Sequence, residues 1–180
     1  PGEMYNSKKK PQKKSSHHAV RDVAWSSCGS RVAAACWDRM VRVWDYHSAA
    51  LLCTLHGHAH CPTAVAFGAH DAEVIAAGDD GTVRVWDAPP ARVDETVALA
   101  ASYPRSAASA PKSRGHHTLA IVLPPKVTLS DAVGGNRLKS LCSTDDIIAA
   151  GSEDGGLYLW DSKGYTSLAC FRCPASSETP

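Results

Sequence analysis

The sequence contains no apolar run of the roughly 20 residues needed to cross a bilayer, so we expect no contact with a membrane. Its N-terminal region is rich in lysine but has no apolar stretch behind it, and we therefore expect no secretion signal. The seven cysteines are odd in number. Without a secretion signal, we interpret them as reduced thiols of an intracellular protein, either cytoplasmic or nuclear.

Sequence motifs of known catalytic chemistry are also missing. There is no nucleophile elbow, no glycine-rich phosphate loop and no paired-carboxylate motif. The segment His56-Gly-His-Ala-His-Cys61 and the pair Cys170 and Cys173 contain zinc-ligand residue types, but a single CxxC without a second pair is a weak signal. We therefore expect no enzyme activity, no metal, no cofactor and no small-molecule substrate. A thiol- or metal-dependent enzyme remains a third hypothesis.

The formal net charge is only +1, so no overall field would draw the protein to nucleic acid. The charge is uneven, because residues 1–18 carry five lysines against one glutamate. These lysines are Lys8, Lys9, Lys10, Lys13 and Lys14. We expect residues 1–16 to form a disordered basic tail, which is either simply solvated or a patch for nuclear import or nucleic-acid contact.

An internal repeat dominates the rest of the sequence. VRVWD occurs at residues 41–45 and 83–87, and LYLWD occurs at residues 157–161. Before each lies an acidic turn, and before each turn lies a short apolar run. The Asp-Gly pairs at 80–81 and 154–155 favour the positive backbone angles of hairpin turns. Short strands at regular spacing with turns between them predict an all-β fold with about four strands per unit.

These motifs make the chain resemble the WD40 repeat family. The Trp-Asp pairs and Gly57-His58 match its signature dipeptides, and Trp44 and Trp86 lie 42 residues apart, within the family period of roughly 40–45. The resemblance implies part of a WD40-type β-propeller, an incomplete ring of four-stranded antiparallel blades. We expect the ring to belong to a longer chain or its open end to be covered by partner subunits.

The expected organisation follows from the repeat positions. A propeller segment covers residues 17–173, with blades at about 17–56, 57–99 and 134–173, and residues 174–180 form a second tail. The 74 residues between Trp86 and Trp160 are too many for one blade, and residues 100–111 are rich in Pro, Ala and Ser. We therefore expect residues 100–133 to be a loop, an insertion or a degenerate blade, with loop structure at 100–115.

The resemblance also implies structural roles for particular side chains. In the family, a His, a Ser or Thr, an Asp and the Trp form a hydrogen-bonded set inside a blade. The Ser or Thr position falls on Ala34, Ala77 and Ala150, so the hydroxyl is missing. The three tryptophans are expected to be buried on the third strand of their sheets. The structural residues are Asp38, Trp44, His58, Asp80, Trp86, Asp154 and Trp160.

The leading hypothesis for function is a protein-binding scaffold or adaptor in a multiprotein complex. In WD40 proteins the residue before the turn Asp lies on one rim of the disc. We therefore expect a rim of Trp37, Arg39, Asp79 and Glu153 to bind a protein with a basic patch. Trp37 has two interpretations here, an interface anchor or a cover for its own hairpin. The alternative function is a nuclear RNA- or chromatin-associated subunit whose lysine tail contacts nucleic acid.

Overall fold

The structure is a computed structural model that describes residues 19–90, 121–130 and 135–173. These residues contain thirteen β-strands and one short 3-10 helix at Ala69–Asp71. The strands are β1 (Val20–Trp25), β2 (Arg31–Cys36), β3 (Val41–Asp45), β4 (Leu51–Leu55), β5 (Pro62–Phe67), β6 (Glu73–Gly78), β7 (Val83–Asp87), β8 (Ile121–Leu123), β9 (Val127–Leu129), β10 (Leu138–Ser143), β11 (Ile147–Ser152), β12 (Gly156–Asp161) and β13 (Ser167–Arg172). The lysine tail, the expected loop at 100–115 and residues 174–180 lie outside the described residues.

The turn between the second and third strands of each unit is built in the same way. Gly81 and Gly155 have φ values of 72° and 82°, in the left-handed region that glycine enters without steric cost. In the first unit the same position is Arg39, with a φ of 71°. The first turn therefore keeps the geometry of the other two although a side chain is present, and that side chain is left exposed at the turn.

The strands form three sheets, which confirms the all-β propeller architecture in an incomplete form. Blade 1 has the order β1-β2-β3-β4-β8, blade 2 the order β5-β6-β7-β9, and blade 3 the order β10-β11-β12-β13. All neighbouring strands are antiparallel except β4 and β8, which are parallel. Blade 1 thus has a fifth strand at its outer edge, where four had been expected.

The outer strand of blade 2 does not come from the residues that directly follow Trp86 and Asp87. It is β9, which pairs Val83 with Leu129 and Val85 with Val127. The sequence pattern had placed residues 127–129 in the segment 100–133, expected to be a loop, an insertion or a degenerate blade. In the structure, the end of this segment completes blade 2, and β8 extends blade 1.

The core lies between the blades in two clusters. The first joins residues of blade 1, such as Val41 and Leu55, to Val74 and Trp86 of blade 2. The second joins Ile75 and Val85 of blade 2 to residues of blade 3, including Ile148 and Trp160. Each strand therefore alternates between a face toward the preceding blade and a face toward the following one, as the two-residue period of a strand requires.

This alternation explains a difference among the three repeated tryptophans. Trp86 and Trp160 are buried because each faces the preceding blade. Trp44 occupies the same register position but is only partly buried, because no described residues form a blade in front of it. Trp25 is 54% exposed on the same side of blade 1. The prediction of burial thus holds for two of the three tryptophans.

Polar contacts also join the blades. Arg31, at the start of β2, donates hydrogen bonds to the carbonyl oxygens of Pro89 and Asp71 in blade 2, and its guanidinium lies 5.3 Å from the centre of the Phe67 ring. The carboxylate of Asp71 accepts hydrogen bonds from the Ser27 amide and hydroxyl of blade 1 at 2.8 and 2.7 Å. These contacts orient blade 1 against blade 2.

The joint between blades 2 and 3 has a different polar contact at the strand position that Arg31 occupies in blade 1. Glu73, at the start of β6, accepts hydrogen bonds from the Tyr165 hydroxyl of blade 3 and from Lys126 Nζ. Hydrogen bonding to Glu73 raises the pKa of Lys126 above its usual range. Because Glu73 is almost fully buried, removing either donor would leave a poorly compensated charge inside the joint.

Candidate functional site

Three equivalent turns lie on one rim of the blade array. We call them the turn rim, which consists of residues 37–40, 79–82 and 153–155. The amide groups of Trp37, Asp79 and Glu153 donate hydrogen bonds of 2.8–3.0 Å to the carbonyl oxygens of Ala19, Cys61 and Arg137, respectively. Each acceptor directly precedes the innermost strand of its blade. The same backbone contact therefore fixes the position of each turn relative to the start of the innermost strand of its blade.

The turn aspartates, in contrast, have three different sets of partners. Asp38 forms a two-point ion pair with Arg42, with distances of 3.1 and 2.6 Å. Asp154 is exposed and accepts hydrogen bonds from Asn136 Nδ2 at 2.7 Å and from the Gly156 amide at 3.2 Å. Both contacts stabilise a turn locally without joining it to a histidine.

Only blade 2 brings a His, an Asp and a Trp of the expected set together in the described residues. His58 Nδ1 lies 3.0 Å from Asp80 Oδ2, and the two side chains are almost fully buried. Burial raises the pKa of Asp80, but hydrogen bonds from His58, Thr82 and the Ala59 amide outweigh that effect, so the pKa is lowered strongly. The indole of Trp86 lies 5.7 Å from the His58 ring.

The hydrogen bonds around this set depart from the one implied by the family. Trp86 Nε1 donates to the carbonyl oxygen of His56 at 3.0 Å. His58 Nε2 is buried and has no hydrogen-bond partner. Strand pairing places Ala76 opposite Arg84, as it places Ala34 opposite Arg42. The missing hydroxyl of blade 2 therefore belongs at Ala76, one residue before the position that the sequence comparison had suggested.

The predicted rim residues lie on one rim, but their surroundings differ from expectation. Trp37 is 40% exposed, and the guanidinium of Arg21 lies 5.0 Å from the centre of its ring. Arg39 is exposed beside it. Arg21 lies in β1, the inner strand of blade 1, and its guanidinium covers part of the Trp37 ring. The ring therefore keeps an accessible part, as an interface anchor requires.

The two acids of the rim are joined through basic residues that sequence reasoning missed. Lys139 Nζ lies 2.7 Å from Asp79 Oδ1 and 3.4 Å from Glu153 Oε2, and Arg137 lies 4.0 Å from Glu153. The hydrogen bond to Asp79 raises the pKa of Lys139. Arg21 and Lys139 occupy the second position of β1 and β10, so the repeat alignment itself could have revealed them.

A cleft opens on the turn rim between the blades. Its lining combines one aromatic ring, a thiol, an imidazole and opposite charges, and its volume is about 610 Å³. The thiol of Cys61 donates a hydrogen bond to the Trp37 carbonyl oxygen at 3.0 Å, which links the inner strand of blade 2 to the first turn. Residues that line the cleft include Trp37, His60, Cys61, Asp79 and Arg137.

The remaining candidates from the sequence do not gather at this site. In residues 19–90, 121–130 and 135–173, no group of three or more His, Cys, Asp or Glu side chains is arranged to hold a metal ion. His58 is engaged by Asp80, and Cys170 and Cys173 are exposed at the outer strand of blade 3. Lys8, Lys9, Lys10, Lys13 and Lys14 lie outside the described residues.

Comparison with known proteins agrees with the repeat architecture. The family model for the WD40 repeat, described as "WD domain, G-beta repeat", matches residues 9–45, 49–87 and 130–161. No curated protein shows significant similarity to the chain. Within the described part of the structure, no helix is long and apolar enough to span a membrane. Since the three matches together cover more than half of the sequence, the chain belongs to the WD40 repeat family.

Proposed function

We propose that this WD40 protein is a non-catalytic scaffold subunit that binds another protein through its turn rim. WD40 repeats generally mediate protein–protein interactions. The observation that carries the proposal for this rim is the accessible part of the Trp37 ring at the edge of a cleft. Large aromatic side chains within a polar surround are enriched among the residues that dominate binding energy at interfaces.

The charges of the rim define the kind of partner. A basic partner had been expected from Asp79 and Glu153 alone. Because Lys139 pairs with both acids, and Arg21 and Arg137 lie nearby, the rim carries interleaved charges of both signs. We therefore propose a partner segment that places an apolar side chain beside Trp37 and carries charged residues of both signs around it.

An affinity capture from native extract tests this proposal. The bait is the parent chain or the double variant Trp37→Ala with Glu153→Lys, and retained proteins are compared by quantitative mass spectrometry. The control variant is Tyr46→Ala, because Tyr46 is an exposed aromatic residue that does not line the rim cleft. At least one protein should be lost at least tenfold from the double variant and retained by the control. If the folded double variant keeps every partner, the turn rim is not the binding surface.

We also propose an intracellular location. All seven cysteines lie in described residues and are free thiols. Cys53 is fully buried between the blades, where burial raises the pKa of its thiol, so it packs as a small apolar side chain. Free cysteines of this number fit a reducing compartment better than a secretory one.

A further inference from the structure

A second groove opens at the outer edge of the joint between blades 2 and 3. We call it the outer groove, and its volume is about 330 Å³. One wall is strand β9 of blade 2, and the other is formed by the end of β12, the turn after it and the start of β13 in blade 3. Residues that line it include Val127, Thr128, Leu129, Trp160, Tyr165 and Ser167.

Both walls of the outer groove have counterparts in the joint between blades 1 and 2. Leu129 of β9 pairs with the first valine of a VRVWD segment, as Leu55 of β4 does in blade 1. Each of these leucines is buried in the cluster that joins its blade to the following one. In the opposite wall, Trp160 has the same strand register as Trp86. The outer groove thus corresponds to the place between β4 and Trp86.

That corresponding place is filled by a strand of this chain. β8 lies parallel to β4, with Leu123 paired to Leu55, and the His56 amide donates a hydrogen bond of 3.2 Å to the Leu123 carbonyl oxygen. Leu123 is 1% exposed and belongs to the buried cluster that contains Trp86. An extended segment therefore closes the outer edge of this joint with a leucine side chain. In blade 2, β9 is the last strand of its sheet, and no described strand pairs with its outer edge.

The lining of the outer groove defines which side chains would fit it. None of the lining residues is charged at neutral pH, and the Tyr165 hydroxyl already donates to Glu73. A charged side chain would lose water in this groove without gaining an ion pair. The Ile-Val-Leu sequence of β8 is apolar throughout, so the place beside β4 accepts the chemistry that the outer groove favours.

We propose that an extended apolar segment of another protein adds to blade 2 as a fifth strand, parallel to β9, and inserts a leucine side chain into the outer groove. In strand addition of this kind, main-chain hydrogen bonds supply affinity and alternate side chains supply specificity. β8 cannot fill the groove itself, because it is paired with β4 and only three residues link it to β9. The turn rim has a different lining, so this proposal is independent of the partner proposed there.

A synthetic peptide tests the proposal on the full chain. The probe is fluorescein-labelled Ser-Ala-Ile-Val-Leu-Ser-Lys, which carries the sequence of residues 120–123 between polar ends. Fluorescence polarisation should show saturable binding. A control peptide with aspartate in place of the leucine should bind at least tenfold more weakly, because no cation lines the groove. Absence of saturable binding up to about 1 mM probe would overturn the proposal.

Two matched variants locate the binding site. Ser167→Trp places a ring in the outer groove from an exposed position, so the fold should stay intact. Leu168→Trp places the same ring at the next residue, which is 54% exposed and does not line the groove. Ser167→Trp should weaken binding of the probe at least tenfold, whereas Leu168→Trp and the rim variant Trp37→Ala should bind it as the parent does. Undiminished binding by folded Ser167→Trp would overturn the proposal.

A photo-crosslinking experiment on the parent chain does not depend on any variant. The leucine of the probe is replaced by photo-leucine, and the crosslinked residues are identified by mass spectrometry. Crosslinks should fall within residues 127–130 and 164–167, the two walls of the outer groove. Crosslinks confined to β4 would mean that the probe only displaces β8 from blade 1, and they would overturn the assignment to blade 2.

Discussion

Replacing the repeated tryptophans by alanine, one at a time, should separate the effect of residue type from that of position in the array. Trp44 and Trp86 share a strand register and a sequence context, VRVWD, but among the described residues only Trp86 has a blade in front of it. Trp86 is fully buried, and its indole nitrogen donates a hydrogen bond to His56. We expect Trp86→Ala to cost 3–5 kcal/mol, near the upper end of that range, since both packing and a hydrogen bond are lost.

Trp44→Ala should cost less, about 1–2 kcal/mol, because a smaller apolar area leaves water on folding. Both costs are measured by urea denaturation. The variant Trp86→Phe is the control, because it keeps a ring but removes the N–H donor, and it should cost less than Trp86→Ala. Equal costs for Trp44→Ala and Trp86→Ala would refute the argument that the preceding blade determines burial.

Three further predictions concern polar contacts. Ala76→Ser should stabilise the fold by about 1 kcal/mol in urea denaturation, because the new hydroxyl gives His58 Nε2 a hydrogen-bond partner. Ala150→Ser should destabilise the fold by about 1–3 kcal/mol, since its hydroxyl gains no equivalent histidine. A loss of stability for Ala76→Ser would contradict the assignment of the missing hydroxyl to residue 76. Asp80→Asn should cost about 2–4 kcal/mol at neutral pH. Because the folded-state pKa of Asp80 is lowered, that difference should be complete above an unfolded-state pKa of about 3.9 and shrink as the pH falls below it in denaturant titrations. A difference independent of pH would argue against a charged, hydrogen-bonded Asp80 carboxylate in the folded state. Arg31→Met should lower the free energy of unfolding by about 2–4 kcal/mol, because the carbonyl oxygens of Asp71 and Pro89 lose a charged donor. An unchanged melting temperature for Arg31→Met would mean that this contact does not hold the blades together.

Local patterns in the sequence predicted the hairpins because each hairpin is encoded within a few residues. Asp80 and Gly81 mark their turn by type, and the alternation in VRVWD marks its strand. The WD40 resemblance added the pairing of His58 with Asp80, which the structure contains. Its one-residue error at Ala77 arose because two alanines adjoin at 76–77. The four-residue spacing from Ala34 to Asp38 and from Ala150 to Asp154 already indicates Ala76, and strand pairing agrees.

Features that depend on distant residues could not be predicted in the same way. Residues 127–129 form a run of three with no turn signal tying it to blade 2, so only the folded chain reveals their pairing with β7. The exposure of Trp44 depends on what stands beside blade 1 and not on its own repeat. On the rim, the repeat alignment marks the position of Lys139, but it does not give the partners of this lysine, which are acids 60 and 14 residues away in sequence.

The strands β8 and β9 have a consequence for how the array comes apart. They follow one another within a few residues, yet β8 pairs with the outer strand of blade 1 and β9 with the outer strand of blade 2. Between them, the Lys126 amide donates to the Val85 carbonyl oxygen and its side chain reaches Glu73. This short stretch acts as a strap across two blades, so blade 1 cannot open without disturbing blade 2. Hydrogen exchange should therefore protect blades 1 and 2 as a single cooperative unit, while blade 3, which lacks such a strap among the described residues, exchanges through a separate and lower-energy opening.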